Sequence, residues 1–176
     1  MGGIRETLLV KPVCGVTFSM GVDLEGVVVR LKEVLGDVED RTEVFDFSFT
    51  DYYREEMGTG LSKVFLSFVH FIHPGSLVRI KRKTNLMEES WSVDGKRRVN
   101  LDPGYITGAK LVLASTKDFA HRIFLAEGIY GDVQLQFRDN CFRVQDWTFP
   151  DYRTRTALEF FERVRKKYVG KVRSRA

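Results

Sequence analysis

Between Arg97 and Arg122 the chain sets polar side chains densely among apolar ones. The first half runs Arg97-Arg98-Val99-Asn100-Leu101-Asp102-Pro103-Gly104-Tyr105. An apolar run follows, and then Ser115-Thr116-Lys117-Asp118-Phe119-Ala120-His121-Arg122. A fold alone does not require this density of Arg, Asn, Asp, Lys and His beside a turn. Asp102 and His121 are the candidates for proton transfer, His121 because imidazole titrates near neutrality. Arg98, Lys117 and Arg122 are the candidates for holding an anion. Asn100, two residues from Asp102, shares its side of a strand, and Arg98 is expected on that side too. Tyr105, Tyr52 and Asp51 complete the candidate ligand-binding set, the two phenols as pocket lining. Each feature also has a scaffold reading. Asp-Pro-Gly is an ordinary turn composition, the Arg-Asn-Asp face is equally an ion pair on an open sheet, and His121 is equally a hydrogen-bonded strand residue.

No pattern ties these residues to a single reaction. Asp51 and Glu55, with Asp46 or Asp102, could offer oxygen ligands to Mg²⁺ or Mn²⁺. There is no HExxH, paired-His or EF-hand spacing, so no metal ligand set is assigned and no cofactor is named. No Gly-x-Ser-x-Gly elbow presents a nucleophile, and no Gly-x-Gly-x-x-Gly follows a strand. Cys14 and Cys141 stand far apart in apolar segments, without zinc spacing, and read as buried reduced thiols.

The elements that must position these residues can be read from periodicity. Leu8–Ser19 is apolar and β-rich. Asp23 caps a helix ending at Gly36, with Leu24, Val27, Val28, Leu31, Val34 and Leu35 on one stripe. Glu43–Phe49 alternates as a second strand, a polar-aromatic segment follows, and Leu61–Ile72 is a third strand. His73-Pro74 opens a helix striped with Leu77, Ile80, Thr84, Met87 and Trp91. Arg97–Leu101 is a short fourth strand and Asp102-Pro103-Gly104 a turn. The order is β-α-β-β-α-β, which predicts an α+β domain with a ferredoxin-like split βαβ core. Beyond it, Thr107 caps a short helix over Ala109–Ala114, or Lys110–Leu113 is a strand. A strand at His121–Leu125 precedes a C-terminal β-hairpin (Asp132–Phe137 and Cys141–Val144) turning at Asp139-Asn140. Trp147–Tyr152 is a strap into a terminal helix that starts near Thr154 or Arg155. No linker or repeat divides residues 1–176, so a single domain is expected.

The chain has 176 residues, 43% hydrophobic and 30% charged, enough for a substantial core. Gln and Asn are scarce beside Lys, Arg and Glu, a composition of thermophile kind. No apolar run approaches the roughly 20 residues of a membrane helix. Met1–Glu6 lacks a signal-peptide pattern, and Glu6 stands where a myristoylation motif needs Ser or Thr. A cytoplasmic protein with no membrane contact is expected, and nothing fixes its oligomeric state. The formal charge of +4 is uneven. Residues 153–176 carry nine basic and two acidic side chains, a net of +7, which leaves −3 for the rest. Such a segment is either a solvated helix face or a contact for nucleic acid.

Four longer stretches carry a resemblance. They are Phe49-Thr50-Asp51-Tyr52-Tyr53-x-x-Glu56-Met57-Gly58, Arg98–Tyr105, Leu113–Ile123 and Trp147-Thr148-x-Pro150-Asp151-Tyr152. They are similar to the bacterial domain-of-unknown-function family 4416, over nearly the whole chain. The resemblance implies no established activity, although some relatives carry a GTP-binding label. The residues here do not repeat GTPase motifs. Gly58-Thr59-Gly60-Leu61-Ser62-Lys63 lacks the P-loop spacing and its Gly-Lys pair. In Thr116-Lys117-Asp118-Phe119, Phe119 stands where a guanine-reading motif has Asp. Three readings follow: a protein or enzyme for a small phosphorylated or nucleotide-like anion, an RNA-binding module using Arg79, Lys81, Arg82, Lys83 and the basic C-terminal segment, or a partner domain without chemistry.

Overall fold

The computed structural model describes Gly3, residues 6–50 and residues 52–174. Its framework follows from β1 (Lys11–Phe18), a strand buried at every position. Such a strand needs neighbours on both edges and cover on both faces. It pairs antiparallel with β4 (Leu61–Phe68) on one edge and β5 (Val99–Ile106) on the other. The sheet continues outward through β2 (Val38–Arg41), β6 (Lys110–Ser115), β7 (Arg122–Ala126) and β8 (Ile129–Arg138). The order is β2-β4-β1-β5-β6-β8-β7, with β3 (Phe45–Phe47) also on β4 and β9 (Cys141–Val144) on β8. Every pairing is antiparallel.

The two-residue alternation of the strands sorts side chains between two helical layers. Cys14, Val16 and Phe18 of β1, Val64, Leu66 and Phe68 of β4, and Val99 and Leu101 of β5 pack under α1 (Leu24–Leu35) and α3 (Leu77–Ser90). The intervening residues Val13 and Phe65, with Ile106, Leu111, Leu113 and Leu135, pack under α4 (Arg155–Arg173) on the opposite face. Of the stripes read from the sequence, Val27, Val28, Leu31 and Leu35 of α1 and Leu77, Ile80, Thr84 and Met87 of α3 are buried, and Leu24, Val34 and Trp91 pack partly buried at the edge of the core. Pro74 opens a 3₁₀ turn, Pro74–Ser76, whose first N–H groups are served by His73, and α3 follows directly. Thr154 caps α4 by accepting from the Ala157 N–H.

Three expectations are corrected. The Glu43–Phe49 strand shortens to β3, Phe45–Phe47, and an unexpected strand, β2, precedes it on the same partner β4; the two are parted where Thr42 exchanges hydrogen bonds with Phe65, its hydroxyl accepting in place of a backbone carbonyl. The Leu61–Ile72 strand ends at Phe68, and Ile72 forms only an isolated bridge to Val10. Of the two readings left open for residues 109–114 the strand is the one formed, as β6, with Thr107 accepting from the Ala109 and Lys110 N–H groups in the turn before it.

The largest correction is Asp102-Pro103-Gly104, which is no turn: β5 runs straight through it to Ile106. Its partner β6 joins only from Gly104. Ahead of that point the outer edge of β5 is served by α3, whose Glu88 carboxylate accepts the Leu101 N–H at 2.8 Å and whose Lys81 ammonium donates to the Leu101 carbonyl at 2.8 Å. Pro103, two residues on, presents its missing N–H on that same edge, where no strand requires it. Gly104 then admits β6 closely: a Cβ there would meet the Val112 carbonyl oxygen at 2.3 Å. The expected hairpin turn does form, with Asp139 and Asn140 both at positive φ. The Arg54–Met57 stretch of the polar-aromatic segment forms a single helical turn, α2. Among the described residues no helix is long and apolar enough to cross a membrane.

Candidate functional site

Where β5 and β6 part, on the face that α4 covers, the sheet opens into a cavity of about 600 Å³. Its floor is built by register. Lys63, Thr17 and Asn100 stand opposite one another across β4, β1 and β5, and Phe65, Gly15 and Asp102 form the next row. Lys63 is fully buried. Its ammonium lies 2.6 Å from an Asp151 oxygen and 3.4 Å from an Asp102 oxygen, among the rings of Tyr152, Phe47 and Phe65 at 5.0 to 5.3 Å. Burial pushes the Lys63 pKa down, but the two carboxylates more than offset it, so Lys63 ends above its ordinary value and stays protonated. Gly15 makes room for the strap: a Cβ there would stand 2.7 Å from the Tyr152 hydroxyl. Tyr152 can then stack on Phe161 of α4, and Asp151 comes over the floor.

The wall toward α3 is a continuous ion-paired chain. Arg97 donates to both Glu56 oxygens, at 2.5 and 2.7 Å, to Glu88 at 2.5 Å and to the Asn100 side-chain oxygen at 3.1 Å. Burial pushes the Glu88 carboxyl up, against the pull of Lys81 and Arg97. The Glu56 carboxyl is held below its ordinary value by hydrogen bonds from Arg97. Asn85 and Glu89 lie further along the same wall.

The opposite corner is cationic and hydroxyl-bearing. Arg122, buried, donates to Asp132 at 2.7 Å, to the Ser115 hydroxyl at 2.6 Å and to the Lys117 carbonyl at 3.1 Å. Its guanidinium lies 4.5 Å from the Phe119 ring centre. Lys117 sits 3.8 Å over the Tyr52 ring, its ammonium on the Tyr52 hydroxyl. Among the described residues it is the one cavity-lining cation with no carboxylate in ion-pair range. Edge-to-face contacts link Phe49, Phe47, Tyr53 and Tyr52 into an aromatic wall, and Phe119 and Phe149 line the cavity with them.

Of the residues singled out in the sequence, Asn100, Asp102, Lys117, Arg122 and Tyr52 line this cavity together. Asp51 lies outside the described residues. Arg98 is elsewhere: β5 starts at Val99, so strand alternation does not reach it. Its guanidinium donates to the Met20 carbonyl at 2.5 Å in a neighbouring recess. Tyr105 is one residue out of phase with Asn100 and Asp102 and packs with Leu77, Val112, Ala114 and Ile129 on the α3 face. His121 stands outside the cavity lining. Its ring stacks on Trp147 at 5.0 Å, and its Nε2 lies 3.5 Å from an oxygen of Asp132, the carboxylate that also holds Arg122.

Sequence reading missed Lys63, Asp151, Glu88 and Asp132, gave Lys81 to the RNA-binding alternative rather than to this site, and took Arg98 where Arg97 serves. One signal was present: Lys63 is the lone charge inside the apolar strand Leu61–Phe68. Among the described residues no three His, Cys, Asp or Glu side chains group to hold a metal. Glu55 lines the recess with Arg98, away from Asp102. Cys14 is buried and Cys141 half-buried, both free thiols.

The basic C-terminal segment is drawn onto β2. Arg163 and Lys167 pair with Asp40, and Lys171 pairs with Glu39, which also binds Lys11.

No curated protein and no solved structure matches the chain. A family model does match, over residues 9–168, the one described as domain of unknown function (DUF4416), and the match spans the sheet, the cavity and α4 as far as Tyr168, so the chain belongs to that family.

Proposed function

We propose that the chain binds a small phosphorylated or nucleotide-like anion in this cavity. The observation that carries the reading is Lys117, a cation without a carboxylate partner among the described residues, beside Arg122 and the Ser115 and Thr116 hydroxyls and facing an aromatic wall. The anionic group would sit on Lys117 and Arg122, and a ring would lie among Tyr52, Phe119 and Phe149. Asp102, at the floor, is the group available for proton work. The volume falls in the range of small-molecule sites. The strand order β5-β1-β4-β2, with α1 and α3 on one face, favours a ferredoxin-like core that has gained β6–β9 and α4.

The RNA-binding reading has less support. Helices cover both faces of the central strands, which leaves no open sheet for stacking bases. The basic side chains Arg163, Lys167 and Lys171 are engaged by Asp40 and Glu39. A partner domain without chemistry would pair its polar cluster and leave no cavity; here the cluster is paired around one.

Thermal unfolding against mononucleotides, sugar phosphates and short RNA tests the choice. A bound anion at 100 times its Kd adds about 2.7 kcal/mol of stability. The expected result is such a shift with a small phosphate compound, lost in Lys117→Ala. A salt-sensitive shift with RNA alone would overturn it.

A further inference from the structure

The cavity is electrically lopsided. At its floor two carboxylates, Asp102 and Asp151, share one cation, Lys63. At its corner stand two cations, Lys117 and Arg122, and one carboxylate, Asp132, which pairs with Arg122 and not with Lys117. The floor therefore carries an excess negative charge and the corner an excess positive one. Asp102 spends one oxygen on Lys63; the other has no hydrogen-bond partner among the described residues, and the side chain keeps 15% of its surface open. Asn100 beside it is 5% exposed, lines the same floor, and its Nδ2 has no partner.

We infer that this polarity selects ligands with a single anionic group, bound at Lys117 and Arg122, and an uncharged, donor-bearing end turned inward to Asp102. The inference rests on the small-anion reading and adds to it the orientation and the chemical class. An anion at both ends would place its second charge against Asp102 and Asp151, where like charges repel in a water-poor pocket. An N–H or O–H donor there satisfies the open Asp102 oxygen, and an acceptor beside it suits the Asn100 amide. A nucleobase edge or a sugar hydroxyl pair has this form; a second phosphate does not.

The test is calorimetric titration of the full chain with ribose 5-phosphate and the four common nucleoside 5′-monophosphates, and with ribulose 1,5-bisphosphate, which carries an anion at each end. In the wild type the best monophosphate is expected to bind at least tenfold tighter than the bisphosphate. Asp102→Asn removes the excess charge with little change of shape. It is expected to weaken that monophosphate and tighten the bisphosphate, bringing the two within threefold. A wild-type protein that binds the bisphosphate as tightly as the monophosphates would overturn the inference and leave the small-anion reading standing. So would a folded Asp102→Asn protein with an unchanged ratio. Binding of none of these compounds by the wild type would overturn both. The wild-type comparison decides the matter even if the variant fails to fold.

Discussion

Strands β1, β4 and β5 present two different chemistries from the same backbone. Toward α1 and α3 they turn Cys14, Val16, Phe18, Val64, Leu66, Phe68, Val99 and Leu101. Toward α4, at the end where the cavity opens, the intervening positions are Gly15, Thr17, Lys63, Asn100 and Asp102. Both sets are largely withdrawn from solvent. The first is buried for stability, since each aliphatic side chain gains about 1.5–3 kcal/mol on leaving water. The second is buried at a cost that only mutual pairing offsets. A fold can be had more cheaply with apolar residues in those places, so polar residues there point to ligand chemistry. The alternation of one strand, read side by side with its partners, separates scaffold from site.

The sharpest way to break this comparison is at Lys63. Lys63→Ala leaves Asp102 and Asp151 buried and uncompensated, and is expected to cost about 3–5 kcal/mol in chemical denaturation. Adding Asp102→Asn and Asp151→Asn to Lys63→Met is expected to recover most of that loss while reducing the stabilisation given by the best monophosphate. If the triple variant stays as unstable as Lys63→Ala, the cluster is scaffold rather than site. On the opposite face Leu66→Ala is expected to cost about 2–5 kcal/mol by leaving a cavity. Ligand affinity, measured well below the melting temperature, is expected to stay unchanged.

Legibility divides along the same line. The α1 and α3 stripes were readable because an apolar side chain at helical spacing has one explanation, and every stripe residue is buried or packs partly buried against the core, whereas the buried Lys81 and Glu88 of α3 lie off the stripe and were not foreseen as buried. Asn100, Asp102, Lys117, Arg122 and Tyr52 were readable because polar density inside apolar sequence is unusual. Arg98 and Tyr105 misled for one reason: the phase of β5 depends on where the strand begins and whether it bends at Pro103-Gly104. That β5 runs on without a bend is decided by partners distant in sequence, Glu88 and Lys81 of α3 and β6 beyond them. Lys63 and Asp151 meet only because the Trp147–Tyr152 strap crosses the sheet, a contact spanning about half the chain with no local signature. His121 has the right chemistry and sits close to Arg122, on the same Asp132 oxygen, yet it precedes β7 in a turn and its ring stacks on Trp147 outside the cavity lining.

A smaller loss tests the β5–β6 junction that makes the opening. Gly104→Ala drives a Cβ to 2.3 Å from a backbone oxygen that has no flexible end to yield. The expected cost is about 1–3 kcal/mol. Because the shift must part β5 from β6, hydrogen exchange is expected to rise at Leu111–Leu113 and not at β1 or β4. Uniform protection across the sheet would show that the junction is not the weak seam.

The smallest effect belongs to the wall between the cavity and its neighbouring recess. Glu56, on the single-turn helix α2, is the anchor that Arg97 holds bidentately. Both partners are partly exposed, so solvent screens the pair and its removal is expected to cost under about 1 kcal/mol of global stability. The local effect is larger in kind. Without the anchor, Glu56→Gln is expected to raise amide exchange over residues 52–60 while leaving the melting temperature nearly unchanged. The pH dependence has a definite sign. The folded state holds the Glu56 carboxyl below its ordinary value of 4.5, through hydrogen bonds from Arg97 first, so the unfolded state binds more protons in that range. The contribution is therefore complete above pH 4.5 and is lost as pH falls through the depressed folded value. Wild-type exchange over residues 52–60 is thus expected to rise below pH 4.5, after correction for the intrinsic rate, toward that of Glu56→Gln, which shows no such step. Parallel wild-type and variant profiles through that range would mean that Arg97, through Glu88 and Asn100, holds the cavity wall without α2.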